Sequence, residues 1–280
     1  MRKTAMTLAL FTTVAASAQE LPQPSPKGEV EQIVGLTTIE VEYSRPSAKG
    51  RKIFGDLVPF GEMWRTGANM STTVEVEGDV MVEGQLLPKG KYSLFTTPNP
   101  EMWVITFNKN PELGGVDERK AEEDVLMVKV PVGKCDMTET FTIGFADVKD
   151  DKAVLELRWE NTVVGISLHA DATKQALMNI TEAVNKPDAD YRVFNSSARF
   201  MVDRNIEPQI ALRYAMKSVE KERKFWNLHT LALAQAQNGQ FKEAIATAEE
   251  SIRLAQAAKY EAYVKMNKEK IEEWATKKGK

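Results

Sequence analysis

Cysteine and histidine are almost missing from this sequence: Cys135 is the only thiol, and His169 and His229 are the only imidazoles. A single cysteine excludes an intramolecular disulfide, a lipid-anchored cysteine at an export cleavage site and a cysteine cluster for metal. The two histidines are far apart, with no HxH or HxxxH pairing, so there is no zinc signature and no histidine-based triad. Both are expected to be structural or surface residues. Lys134 beside Cys135 can lower a thiol pKa, yet without a neighbouring histidine or CxxC context the thiol carries no nucleophilic expectation. No metal and no cofactor are expected. Past Ala18 no apolar run approaches the roughly 20 residues of a bilayer-crossing helix, so no integral membrane segment is expected. Basic excess is lacking too. The formal charge of −3 falls to −5 once Arg2 and Lys3 are removed, which argues against a nucleic-acid partner.

The first 18 residues stand apart. Arg2 and Lys3 precede the apolar stretch Ala5 to Val14, and Ala16-Ser17-Ala18 supplies the small residues that a signal peptidase accepts. Residues 1–18 therefore read as a secretory signal cleaved near Ala18, and the mature protein as periplasmic or secreted. The alternative, a mitochondrial-type presequence, should be amphipathic and rich in arginine. Residues 19–28, QELPQPSPKG, hold three prolines and read as an extended linker.

From residue 29 to 170 the pattern is β. In Leu36 to Ser44, Ile39, Val41 and Tyr43 alternate with Glu40, Glu42 and Ser44, as in a half-buried strand. Similar runs occupy Thr72–Glu77, Asp79–Glu83, Lys91–Thr97, Met102–Asn108, Asp124–Val132, Glu139–Val148, Ala153–Trp159 and Thr162–His169. Asp150-Asp151 and Glu160-Asn161 fall where tight hairpin turns are needed. The polar stretch NPELGGVDERKAEE between Lys109 and Glu123 predicts a long exposed loop. Many short strands without helices between them favour an antiparallel β-sandwich, jelly-roll or Ig-like, or an open barrel.

Near Ala170 the period changes, and residues 171–280 carry Ala, Leu, Glu, Lys and Gln at helical spacing. Helices are predicted over 172–185, 190–204, 207–221, 226–238, 241–256 and 259–276, with Pro208 in the first turn of the third and Gly239 ending the fourth. Ala198, Ala211, Ala215 and Ser218 recur 33 residues later as Leu231, Ala244, Ala248 and Ser251. The stretch NLHTLALAQAQNGQFKEAIATAEESIRLA resembles a tetratricopeptide unit. The earlier copy lacks the turn glycine, having Ile206 there, and neither copy ends in proline. That resemblance implies a helical array that binds a protein partner or braces the β domain.

The candidate site lies in Tyr43 to Asn69, YSRPSAKGRKIFGDLVPFGEMWRTGAN. This stretch has neither strand nor helix period, yet Ile53, Phe54, Leu57, Val58, Phe60, Met63 and Trp64 are too many apolar groups to leave in water. An ordered, packed loop is the expectation. Arg45, Lys49, Arg51, Arg65 and Asn69 can form a cradle for a small anionic or glycan ligand, since a guanidinium fork matches carboxylates and phosphates, and Trp64 can add a stacking surface. The competing reading pairs these arginines with Asp56, Glu62 or sheet carboxylates, in a purely structural loop. A third reading is a carboxylate-dependent hydrolase using Glu40 with Glu42, or Glu75 with Glu77, which share a strand face, although alternating Glu and Val is also what any solvent face looks like. Ser218-Val219-Glu220-Lys221 matches an SxxK string by chance, without companion motifs. No catalytic residue is assigned.

Together the loop string, TTVEVEGDVMVEGQLLPKGKYSLFTTP and WVITFNKN resemble a family of exported bacterial proteins catalogued as a domain of unknown function, number twenty-nine-eleven. The likeness runs from Val34 to Val148. It implies a β-rich envelope domain, often followed by helical repeats, and supplies no catalytic residues to carry across.

Overall fold

The structure is a computed structural model and describes residues 21–277. The expected signal segment and the first two linker residues lie outside the described residues. The chain divides into two compact units, with the boundary in the chain between Ala172 and Thr173.

The first unit holds nine strands: β1 (Lys27–Val34), β2 (Thr37–Ser44), β3 (Thr72–Val76), β4 (Val80–Val82), β5 (Gln85–Leu87), β6 (Gly90–Thr97), β7 (Met102–Asn108), β8 (Asp124–Lys149) and β9 (Lys152–His169). All pairings are antiparallel, in the order β1-β2-β3-β6-β7-β8-β9-β4-β5. β1 begins two residues inside the expected linker, because Lys27 already pairs with Ser44. The chain turns at Asp150-Asp151 as expected, with Asp150 in the left-handed region at φ 55°. No turn occurs at Glu160-Asn161. There the two long strands bend together: the register shifts between Lys134 and Thr138 and again before Thr142, and Glu160 takes φ 49°. Bulges thus turn the corner without breaking the ladder, which is why four expected short strands are two long ones.

That corner lets both halves of the sheet face one core. Ile39 and Val41 of β2, Val74 of β3 and Ile105 of β7 share it with Ile143 of β8 and Leu155, Leu157 and Ile166 of β9. The stretch 109–123 is exposed along much of its length but pinned to the sheet at several points. Leu113 is 3% exposed, Ser93 Oγ donates to the Asn110 carbonyl at 2.7 Å, and Asn108 Nδ2 donates to the Lys120 carbonyl at 3.1 Å. Buried amide and hydroxyl groups on the sheet supply the hydrogen bonds that a polar strap needs in order to lie down.

The second unit holds α1 (Thr173–Val184), α2 (Tyr191–Arg204), α3 (Pro208–Lys221), α4 (Phe225–Gln237), α5 (Phe241–Ala257) and α6 (Glu261–Ala275). Asp190 caps α2, accepting from the Arg192 and Val193 amides. Pro208 opens α3, and Gly239 follows α4 with φ 75°. Ala211, Ala215, Ala244 and Ala248 are fully buried, which lets helices approach closely. Consecutive helices pack on one another, and α2, α4 and α6 also touch in succession. Among the described residues no helix is long and apolar enough to cross a membrane.

Candidate functional site

The Tyr43–Asn69 stretch is ordered by an aromatic cage. Trp64 stacks on Trp159 at 5.8 Å and 21°, and meets Phe141 at 5.1 Å and Phe54 at 6.3 Å edge to face. Its Nε1–H donates to the Gly67 carbonyl at 3.0 Å. The Trp64 amide and carbonyl bridge Thr96 of β6, at 2.7 and 2.9 Å. Behind this cage Ile53 is fully buried, and Val58 is 5% exposed. The indole faces other rings in the interior, and its N–H is already used.

The basic residues tie backbone together rather than forming one cradle. Arg45 Nε donates to the Phe141 carbonyl at 3.3 Å and its Nη2 to Thr142 Oγ1 at 3.0 Å. Arg51 bonds the Ala48 and Ser47 carbonyls of its own turn, at 3.0 and 2.7 Å. Lys49, at φ 51°, presents its amide to Glu139 Oε1 at 2.8 Å. Arg65 Nη1 donates to the carbonyls of Asn69 and Gly114, at 2.8 and 2.9 Å. These guanidinium partners are carbonyl and hydroxyl oxygens, not Asp56 or Glu62. The structure therefore brings Arg65 and Asn69 together, while Arg45 and Lys49 bond β8, Arg51 bonds its own turn and Trp64 is partly buried among aromatic rings.

Asn69, whose turn Arg65 holds, borders a cleft of about 640 Å³ on the outer face of the sheet. Its floor is Glu42 and Ser44 of β2, Thr73 of β3 and Lys91 of β6, and its walls come from residues 23–27, 69–71 and 111–112. Five hydrogen bonds from three residues assemble the walls. Arg65 joins the 69 turn to the 114 strap, the Ser71 amide donates to the Leu113 carbonyl at 3.0 Å, and Asn69 Nδ2 donates to the Ser25 carbonyl and Ser44 Oγ, both at 3.1 Å. Asn69 stands at φ 59°, a conformation asparagine tolerates better than most side chains.

The charged groups in the cleft floor pair with one another. Glu42 receives Lys27 and Lys91, the latter at 2.9 Å, and Lys91 also reaches Glu75 at 3.4 Å. The bond from Lys27, then that from Lys91, holds the Glu42 carboxyl down at about 2. Glu40 moves the other way, raised first by burial and then by Glu29 and Glu42. Two carboxylates with opposite shifts on one strand suit acid–base work, but only Glu42 of the pair lines the cleft, and it is occupied by two ammonium groups.

One group in the cleft wall is unsatisfied. Ser71 is 6% exposed, and its Oγ is buried with no hydrogen-bond partner. A buried hydroxyl without a partner costs about 1–3 kcal/mol. Sequence reasoning missed Ser71, Thr73 and Lys91; the alternation of β3 and β6 was visible, but not the tertiary arrangement that sets Thr73, Lys91 and the preceding Ser71 in one cleft with Asn69.

No curated protein and no solved structure matches the chain. A family described as "Protein of unknown function (DUF2911)" matches residues 25–168, more than half of the chain and nearly all of the strand-built unit. The chain belongs to that family.

Proposed function

We propose that this is an exported envelope protein whose strand-built unit, an antiparallel sandwich closed at the β8–β9 corner, binds a small ligand in the cleft beside Asn69 and Ser71. The observation that carries the reading is the partnerless Ser71 hydroxyl in the wall of a polar, preformed cleft. Small-ligand sites are such concavities, with a few placed polar groups; the Ser71 Oγ lies buried at the wall, and a rotation of its side chain toward a bound ligand gives the orphan hydroxyl a hydrogen bond. Binding is favoured over carboxylate-dependent hydrolysis because Glu40 lies outside the cleft and Glu42 is neutralised within it. Arg45, Arg51 and Arg65 act as positioning residues that hold the walls.

The helical unit is read as a tetratricopeptide-like array that engages a protein partner. Support comes from a tie that recurs with the repeat. Ser218 Oγ donates to the Tyr191 carbonyl and accepts from Asn227 Nδ2; 33 residues on, Ser251 Oγ donates to the Phe225 carbonyl and accepts from Asn267 Nδ2. Successive contacts among α2, α4 and α6 leave a groove of about 540 Å³.

The ligand reading is tested by native mass spectrometry of protein purified from its own host, beside a Thr73→Trp variant that fills the cleft floor and whose melting temperature is checked. A retained small molecule is expected in the parent and not in the variant. A bare parent mass, with a crystal structure showing the cleft closed by its own side chains, would refute it.

A further inference from the structure

We infer that the cleft is built for an uncharged, hydroxyl-rich ligand, a saccharide unit rather than an anion; the inference rests on the cleft being a binding site at all. Four features of the face point this way.

The lysines are committed. Lys27 and Lys91 both bind Glu42, and Lys91 also reaches Glu75, so the positive charge that would attract a phosphate or carboxylate is already offset by carboxylates. The surroundings oppose anions as well. Glu42 pairs across the ladder with Glu29, and Glu40 with both Glu31 and Glu75, so the floor continues into a row of acidic side chains. Like charge at that range raises the cost of bringing an anion in.

The remaining lining is neutral and able to act both as donor and as acceptor. Asn69 spends both its amide hydrogens on Ser25 and Ser44, which leaves Oδ1 to accept. Ser71 Oγ has no partner, and Thr73 adds a hydroxyl on the floor. Hydroxyl groups both donate and accept, so a ligand carrying several of them satisfies such a lining without altering its charge. Finally, Met70 is 56% exposed at the rim and Pro111 lines the opposite side, giving apolar surface for the C–H faces of a sugar ring.

The test uses the full chain, labelled with nitrogen-15, and follows the backbone amides of Asn69 and Thr73. Cellobiose and N,N′-diacetylchitobiose serve as uncharged probes, inorganic phosphate and citrate as anions, and putrescine as a cation. The disaccharides are expected to move both amides. Ser71→Ala is expected to weaken that response about tenfold, the loss of one well-made hydrogen bond, while melting no lower than the parent. Responses to phosphate, citrate or putrescine instead of the disaccharides would keep the cleft as a site and overturn its neutrality. Equal disaccharide affinity in Ser71→Ala would also overturn the inference, because the hydroxyl would then carry no part of recognition. Silence of both amides toward every probe would bring down the inference and the binding reading together.

Discussion

Replacing Trp64 with alanine separates a ligand platform from an internal strut. Truncating a packed tryptophan in a core costs about 3–5 kcal/mol; the low end applies, because Trp64 is only partly buried among Phe54, Phe141 and Trp159. Losing the indole bond to the Gly67 carbonyl adds about 1 kcal/mol. The sum, about 4 kcal/mol, corresponds to a melting temperature roughly 8–16 °C lower for a unit of this size. The assay is calorimetry on the full chain, with hydrogen exchange at the Phe141 amide reporting on the strand-built unit. Trp64→Phe keeps a ring in the cage and is expected to recover more than half of the loss. Leu57→Ala is the control: Leu57 is 46% exposed, and its truncation is expected to cost less than about 0.5 kcal/mol. If Trp64→Ala melts within 2 °C of the parent, at a resolution of about 0.5 kcal/mol, the cage does not hold the loop, and the cleft walls that depend on the loop lose their support.

Two predictions concern pH. Glu42 sits at about 2 in the folded chain, below its ordinary value, so the stability it contributes is complete above about pH 4.5 and is lost as pH falls toward 2. With Lys27 68% exposed, screening limits that contribution to about 1 kcal/mol; Glu42→Gln should flatten the acid limb of the urea midpoint by that amount. His229 is 3% exposed, its Nδ1 lies 2.8 Å from Asn267 Oδ1, and burial pushes its pKa below the ordinary 6.5. The unfolded chain therefore takes up a proton first as pH falls, so the helical unit should lose stability below about pH 6.5. Circular dichroism melts at pH 7.5 and 5.5 should show the drop, and His229→Gln should remove it. A pH-independent melt in the parent would refute the reasoning, because it would mean that folding does not change proton uptake at the imidazole.

Much of the local structure was legible because it is set by short-range rules. The six helices lie within a few residues of their predicted spans, since their capping residues and alanine spacing act within one or two turns. β7 spans Met102–Asn108, as the alternation predicts. Errors fell where two strands had to bend as a pair: Glu160 has the polarity of a turn residue, and only its partner across the ladder decides that it makes a bulge. The 109–123 stretch misled for a similar reason, because its anchor Ser93 lies on a strand outside the stretch and the part Asn108 plays is set only once β7 is placed.

The sequence by itself determined the change from strand to helix near Ala170, the packed character of the Tyr43–Asn69 stretch, the recurrence of Ser218 at Ser251 and the membership that the loop string carries. Those depend on periodicity, on the cost of exposing apolar groups and on spacing, all of which are written along the chain. Only the tertiary structure decided what the arginines do and where a ligand can sit. A guanidinium reads the same in sequence whether it faces an anion or a backbone carbonyl, and the difference is made by which carbonyls the fold brings within hydrogen-bonding distance. The cleft arises the same way, from a turn at Asn69, a strap at Pro111 and a strand register that sets Ser71 between them.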